Sequence, residues 1–219
     1  MSFYHHLQQA TAADRDALLS SPVIAAAMAG HVTRLHYLDF LSRAFHHVSQ
    51  TVPLLMACGA RLPPHHEWLR AEVAHYVEEE TGHHEWVLAD IAAAGGDAAA
   101  VRASKPDRDT DIMVGYAWDT VMRRNPVGMF GMVYVLEGTS VRLASQAADR
   151  LHRTLALPPS AFTYLASHGS LDVEHMGRFE ELVNRFDSPA DRESVVTSAR
   201  AFFHLYANVL RGIDVGGAA

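Results

Sequence analysis

The sequence predicts an all-α protein, and three observations support that fold class. Signals for β-strands are nearly absent, since the chain has neither an Asn-Gly nor an Asp-Gly hairpin turn and no long alternation of β-branched residues. Apolar residues instead recur at spacings of three and four, which is the period of an amphipathic helix. Proline and glycine divide the 219 residues into segments that each carry such a stripe. We expect a bundle of about seven main helices and one short helix.

In the first half of the chain, turn-forming residues set the expected ends of the helices. Pro22 suits a first helical turn, whereas Pro53 inside an apolar stripe predicts a kink and Gly59 predicts a helix end. The expected helices are residues 3–19 with a break near Thr11 to Ala13, a short helix from Pro22, about Thr33 to Cys58, and about His65 to Ala94 before Gly95-Gly96.

The second half is divided by prolines. Asn125 precedes Pro126 and is therefore driven out of the α region, and Ser188 before Pro189 is typical of a helix start. The expected helices are about Thr110 to Arg124, Val127 to Leu155, Ala161 to Phe186 and Ser188 to about Leu210, with a short helical turn in the connection 97–109. We expect residues 1–215 to form one helical domain and residues 216–219 to form a flexible tail.

Composition excludes several classes of function. The formal net charge is −7, and the longest basic run is Arg123-Arg124, so nucleic acid is not an expected partner. The apolar run from Val127 to Leu136 is too short to span a membrane, and the N-terminus has no basic or apolar leader. The lone Cys58 cannot form an intrachain disulfide. We expect a cytoplasmic protein that does not bind a membrane.

Three segments carry residues that can bind a metal. His168, Asp172 and His175 share one helix face, because their spacings are four and three residues. Glu80 and His83 form a Glu-x-x-His pair of the kind that dinuclear carboxylate proteins use. Glu137 follows an apolar run, where a lone carboxylate is costly unless it is paired, protonated or bound to a metal. The set of three histidines and three carboxylates suits two iron or manganese ions better than one zinc ion.

Alternatives remain open at two of these segments. Glu79 is also one turn from His83, and His84 follows it directly, so the upstream ligands are Glu80 or Glu79 and His83 or His84. A salt bridge from Glu137 to Arg142 is a second explanation of that carboxylate.

The same residues carry a resemblance to a known family. Glu79-Glu80-Thr81-Gly82-His83, Glu137 within Val-Leu-Glu-Gly-Thr, and the late His-x-x-x-Asp-x-x-His resemble the heme-oxygenase-like di-iron oxidases, relatives of the TenA, PqqC and heme oxygenase proteins, over about residues 31 to 210. The resemblance implies a heme-oxygenase-like helical fold and a dinuclear iron site that activates O₂. It implies the metal ligands Glu80, His83, Glu137, His168, Asp172 and His175, with Glu80, Glu137 and Asp172 as the catalytic carboxylates.

The function expected from this resemblance is a non-heme di-iron oxidase or oxygenase that acts on a small organic molecule. Members of the family oxidise amines, amino acids and fatty acids. We expect two Fe(II) ions, with manganese as an alternative, together with O₂, an external electron donor and a homodimeric state. Residues one turn from Glu137, namely Val133, Tyr134, Ser140 and Val141, are expected to line the cavity. Tyr134, Val141 and Arg142 are the expected substrate-binding residues.

Other functions use other residues of the chain. A TenA-type thiaminase needs a reactive cysteine, and Cys58 is the sole candidate. A heme oxygenase needs an early proximal histidine, for which His31, His36, His46 and His47 are candidates. A PqqC-like cofactor-free oxidase has no need of Glu137. A ferritin-like bundle needs a further glutamate from another helix, and residues 33–58 of this chain contain none. If the protein is instead a non-catalytic helical scaffold, it should not take up iron stoichiometrically.

Overall fold

The computed structural model describes the backbone of residues 1–216 and the side chains of that range except those of 145 and 169–174. This part of the chain is mostly helical and contains no strand, which confirms the all-α class. None of its helices is long and apolar enough to cross a membrane. The helices are α1 Phe3–Ala10, α2 Ala12–Leu19, α3 Pro22–Ala29, α4 Arg34–Val48, α5 Thr51–Arg61, α6 Glu67–Glu80, α7 His83–Ala93, α8 Ala98–Ala103, α9 Arg108–Arg123, α10 Met129–Leu155, α11 Thr163–Asn184 and α12 Pro189–Arg211.

Three of the expected helices are each two helices in the structure. The first breaks at Thr11, as predicted. The second breaks near Ser49 and Gln50 rather than at Pro53, and it ends at Arg61 rather than at Gly59. Pro53 is the third residue of α5, where a backbone N–H would have no partner within the helix, so proline is tolerated there without a kink.

The third break separates Glu80 from His83, and it changes the description of that pair. Gly82 has a φ of +95°, a left-handed conformation that glycine adopts without steric cost. Glu80 therefore ends α6 and His83 begins α7. The two residues are held together by a turn between helices rather than by one continuous helix.

Helix α10 is the central element, and it packs along both α11 and α12. Gly131 allows the close approach to α12, since a Cβ at this position would lie 2.6 Å from the backbone nitrogen of Ala199 and 2.7 Å from the carbonyl oxygen of Val195. The tight contact sets how α10 is rotated in the bundle. It thereby decides which of its side chains face the interior beside Glu137.

Helix α11 takes its N-terminal cap from another helix. The buried carboxylate of Asp90 in α7 accepts hydrogen bonds from the backbone N–H groups of Thr163 (3.1 Å) and Tyr164 (2.8 Å). Phe162, at the N-cap position, makes no side-chain hydrogen bond to the helix. Asp90 therefore joins α7, which begins with His83, to the start of the helix that carries His168 and His175.

Two glycines of α10 should respond in opposite directions to the same substitution. Gly131→Ala should lower the free energy of unfolding by about 1–3 kcal/mol, because the new methyl group collides with the α12 backbone. Gly138→Ala should raise it by about 0.5–1 kcal/mol, because no described atom lies within 4 Å of the added Cβ and alanine favours the helix. Urea unfolding measures both values. Equal effects of the two substitutions would contradict the close approach of α10 and α12.

Asp90 should make stability depend on pH. Burial raises the pKa of this carboxyl from its usual 3.8 to about 6, although the N–H groups of Tyr164 and Thr163 oppose the rise. The folded protein therefore retains a proton that the unfolded chain has lost, and the stabilisation from protonated Asp90 is lost as the pH rises through about 6. The stability of the wild type relative to Asp90→Asn should fall between about pH 4 and 6 and then level off, as measured by urea unfolding.

Asp97→Asn is the matched control for this experiment, since Asp97 caps α8 at an exposed position. It corrects for the general effect of replacing an aspartate at a helix start. If the difference in the free energy of unfolding between wild type and Asp90→Asn stayed constant with pH, Asp90 would not titrate in this way.

Candidate metal centre

Five of the six predicted ligands converge where α6, α7, α10 and α11 meet. Glu80 belongs to two overlapping groups of potential ligands, and within each group the ligand atoms all lie within 4.8 Å of one another. The sixth, Asp172, lies outside the residues whose side chains are described, so its assignment as a ligand stays a prediction. The first group is Glu80, His83 and His168, and the second is Glu80, Glu137 and His175.

The turn at Gly82 brings Glu80 and His83 together. Oε2 of Glu80 lies 3.1 Å from Nδ1 of His83, and their side chains are 10% and 4% exposed. Burial favours a raised pKa for the Glu80 carboxyl, but the hydrogen bond and positive charge of His83, with the charges of His168 and His175, outweigh it, so the pKa is lowered. Glu80 is therefore held as a carboxylate, the form that binds a metal ion.

The alternative upstream residues lie outside both groups. Glu79 forms a 2.7 Å ion pair with Nη1 of Arg178 and lies 2.8 Å from Nε2 of His75. His84 is more exposed and lies 3.2 Å from the carboxylate of Glu85. Of the two alternatives at each position, the structure places Glu80 and His83 among the clustered donors.

The protonation of His168 follows from its hydrogen bond. Nδ1 lies 3.0 Å from the carbonyl oxygen of Tyr164, and because a carbonyl accepts only, Nδ1 carries the hydrogen. This leaves Nε2 as the nitrogen that can act as a metal ligand, an arrangement common among metal-binding histidines. The rings of His168 and His83 lie edge to face with centroids 4.9 Å apart.

His175 lies between two carboxylates. Its Nδ1 is 4.0 Å from Oε1 of Glu137, and its Nε2 is 3.8 Å from Oε2 of Glu79. The Arg178 ion pair anchors Glu79 on the side of the ring away from Glu137. Glu79 is therefore placed to orient His175 rather than to join the cluster.

The donors fit a pair of transition-metal ions. Glu80 and Glu137 present oxygen atoms within 4.8 Å of each other in a buried region, where two negative charges need a nearby cation or a proton. Three imidazoles surround them, and a mixed set of nitrogen and oxygen donors suits iron, manganese or zinc rather than magnesium or calcium. Because Glu80 belongs to both groups, it can bridge two ions.

A cavity of about 170 Å³ opens beside the cluster, and Glu80, Glu137 and His168 form part of its wall. The remaining wall is mainly apolar and comes from α3, α4, α5, α6, α10, α11 and α12. Val133 and Ser140 line it, as the sequence predicted. A small organic molecule held there would lie next to the clustered carboxylates.

The structure corrects the expected positions of Tyr134, Val141 and Arg142, which all lie outside the described lining of the cavity. Tyr134 is buried against Phe179 of α11 and Phe203 of α12, with ring centroids 5.8 and 5.9 Å away. Arg142 is exposed. The reason is the rotation of α10. Residues one turn away from Glu137 are spread over a broad arc of the helix, and only part of that arc faces the cavity.

Tyr76 and His47 are among the cavity residues that were not predicted as site residues from the sequence. Tyr76 lines the cavity and its ring centroid lies 6.4 Å from that of His175, although an isolated tyrosine in α6 resembles an ordinary core residue. His47 also lines it, and the sequence offered only its place among the early histidines considered for heme. Trp86 stacks on His83 at 4.1 Å and supports that ring.

Cys58 does not have the environment of a reactive thiol. It is fully buried, donates to the carbonyl oxygen of Pro126 at 3.3 Å and is not among the described residues that line the cavity. Burial raises the pKa of the thiol to about 12. This environment disfavours the thiaminase-like chemistry that would depend on Cys58.

The helical bundle and its buried cluster of glutamates and histidines define a heme-oxygenase-like protein with a candidate iron site. A family model described as iron-containing redox enzyme matches residues 38–207, and the chain belongs to that family. The predicted family relationship and the predicted fold are thereby confirmed. Among curated proteins, none matches the chain.

Solved structures share the fold over nearly the whole chain. A domain of unknown function with a heme oxygenase-like fold from Shewanella denitrificans is 25% identical, with a TM-score of 0.85 and coverage of 96% of this chain and 91% of that one. The heme oxygenase of Leptospira interrogans is 14% identical, with a TM-score of 0.78 and coverage of 97% and 100%. A TenA homolog from Pseudomonas syringae is 9% identical, with a TM-score of 0.79 and coverage of 96% and 92%.

Cys58 should be unreactive in the folded protein. A chromogenic disulfide reagent such as DTNB should label it slowly at pH 8, because the thiol is buried and its pKa is high. The same protein in guanidinium chloride should release one equivalent of chromophore per chain, which is the internal control. Rapid stoichiometric labelling of the folded protein would restore the thiol-dependent alternative.

Proposed function

We propose that this protein is an O₂-dependent oxidase or oxygenase that uses two iron ions and acts on a small organic molecule. The observation that carries the proposal is the sharing of Glu80 by two ligand groups beside an apolar cavity. Membership of a family described as iron-containing redox enzymes supports iron as the metal. The number of ions and the oxidase activity are parts of the proposal.

Each described ligand has a role in this proposal. His83 and His168 would hold one ion and Glu137 and His175 the other, with Glu80 shared between them. Asp172, predicted from the sequence, would complete the set. When bound, two ferrous ions supply electrons to O₂ for oxidation of the substrate, and an external donor would restore them after each turnover.

The chain's own residues prepare this site. The Tyr164 carbonyl orients His168 through Nδ1, and the ion pair of Glu79 with Arg178 supports the far side of His175. The wall beside Glu137 is mainly apolar, so the substrate would meet the cluster in a medium of low polarity. Tyr76, whose hydroxyl has no hydrogen-bond partner among the described residues, can donate a hydrogen bond in the same space.

The TenA-like alternative is compatible with the fold but has less support from the site. A metal-free hydrolase would need a nucleophile in the cavity, and Cys58 is buried elsewhere against Pro126. It would also give no role to the adjacent carboxylates of Glu80 and Glu137. The small-molecule substrate, the electron donor and the homodimer stay predictions.

Iron binding tests the proposal directly. Anaerobic titration of metal-free protein with Fe(II) should reach two ions per chain and raise the melting temperature, because the metal relieves repulsion among the ligand carboxylates. Glu137→Ala should bind only one ion, and Glu80→Gln should weaken binding of both by at least about tenfold, since Glu80 belongs to both groups. Colorimetric iron analysis after gel filtration gives the stoichiometry.

Glu78→Gln is the matched control, because it makes the same chemical change two residues away, at an exposed position outside both groups. It should retain two ions. No rise in melting temperature with Fe(II), or uptake of two ions by Glu137→Ala, would overturn the dinuclear assignment. An oxygen electrode then shows whether the iron-loaded protein consumes O₂ and which organic compounds accelerate consumption.

A further inference from the structure

The cavity beside the cluster has an extended apolar wall. Its lining residues on α10 run from Met129 to Leu151, which is about six helical turns. Val23, Ile24, Ala27 and Met28 of α3 cover part of the same space. A ligand that fills it must therefore be largely hydrocarbon.

The charges in this wall all belong to the cluster. Among the described lining residues, Glu80 and Glu137 are the acidic side chains, and neither lysine nor arginine occurs. A charged group elsewhere in the cavity would be desolvated without an opposite charge, which is strongly unfavourable. The part of a ligand that lies away from the cluster must therefore be uncharged.

Two polar groups of this wall, the His47 ring and the Ser140 hydroxyl, have an atom without a hydrogen-bond partner among the described residues and no part in the proposed iron chemistry. Of the two, His47 offers both a donor and an acceptor on a rigid ring. It is 4% exposed, and its Nδ1 has no hydrogen-bond partner among the described residues. Its ring packs edge to face against Tyr206, which also lines the cavity, at 5.9 Å. Burial, with smaller effects of His168 and His46, lowers the pKa of His47 to about 4, so near neutral pH it is a neutral imidazole with one donor and one acceptor.

Packing alone does not account for this residue. A phenylalanine or leucine could fill the same space without leaving a buried nitrogen unsatisfied, a condition that costs stability. The neighbouring His46 is different, because its Nε2 lies 3.0 Å from the hydroxyl of Ser104. Because the His47 ring also lines the cavity, a ligand or a water molecule held there can supply the missing hydrogen bond.

We propose that His47 binds the substrate by a hydrogen bond to one uncharged polar group, such as a hydroxyl, carbonyl or amide, on an otherwise apolar molecule. This inference rests on the proposed function for the claim that the bound molecule is a substrate. The binding itself depends on the cavity and on His47. It can therefore be measured without iron.

The experiment is isothermal titration calorimetry of the full-length, metal-free protein with 1-octanol, octanoate and octylamine at pH 7. These probes share one chain length and differ in the charge of the head group. Wild type is compared with His47→Phe, which removes the hydrogen bond, and with His47→Gln, which keeps a donor and an acceptor. His46→Phe is the matched control outside the cavity. Thermal melting confirms that each variant is folded.

1-Octanol should bind wild type at one site, and His47→Phe should weaken it about fivefold, the usual effect of one neutral hydrogen bond. His47→Gln and His46→Phe should stay within about twofold of wild type. Octanoate should bind wild type more weakly than 1-octanol, because a neutral imidazole does not compensate a buried negative charge. The affinity of octylamine should be insensitive to His47→Phe, because a protonated amine is stabilised by the cluster carboxylates rather than by His47.

Unchanged 1-octanol binding in His47→Phe, or no binding of 1-octanol by wild type, would overturn the inference. Tighter binding of octanoate than of 1-octanol by wild type, or a larger loss of affinity for octylamine than for 1-octanol in His47→Phe, would refute the uncharged head group. Failure of the proposed function has a different signature, because the protein would then bind no iron while 1-octanol binding still depended on His47.

Discussion

Two carboxylates held close together in a buried region are the constraint on which the site depends. Glu80 and Glu137 come from different helices, yet their oxygen atoms lie within 4.8 Å. At that separation their repulsion is roughly 3 kcal/mol with an effective dielectric constant near 20. The surrounding imidazoles of His83, His168 and His175 reduce this cost, and two metal ions would remove it. An arrangement so unfavourable without cations is the strongest physical argument for a metal centre.

The packing of α10 and the cap of α11 keep the carboxylates and imidazoles in place. Gly131 lets α10 contact the α12 backbone, and that contact determines the direction in which Glu137 points. Asp90 holds the start of α11 from α7, so His83 and His168 are positioned through one connected unit. The cluster is thus supported by contacts outside its own ligands, as metal sites commonly are. The same rotation of α10 forms the apolar wall beside the cluster.

Helical periodicity carried most of the information about the fold, because each segment has one apolar stripe and few competing strand signals. The errors occurred where a residue's effect depends on its position in a helix. Pro53 is harmless in the first turn of α5, and Gly82 allows a break where the periodicity continues. At the site, residue type and helical spacing predicted Glu80, His83, Glu137, His168 and His175, and the structure brings their ligand atoms together. Spacing alone could not separate Glu80 from Glu79.

The sequence by itself determined the all-helical class, the family resemblance and the set of residue types able to bind iron, since these follow from periodicity and local chemistry. Only the tertiary structure decided which carboxylate of the acidic run joins the cluster, because Arg178 of α11 engages Glu79 and the turn at Gly82 aligns Glu80 with His83. It also placed Tyr134 in the core and His47 on the cavity wall. These choices depend on how helices are rotated against each other, which is set by contacts between residues far apart in the chain.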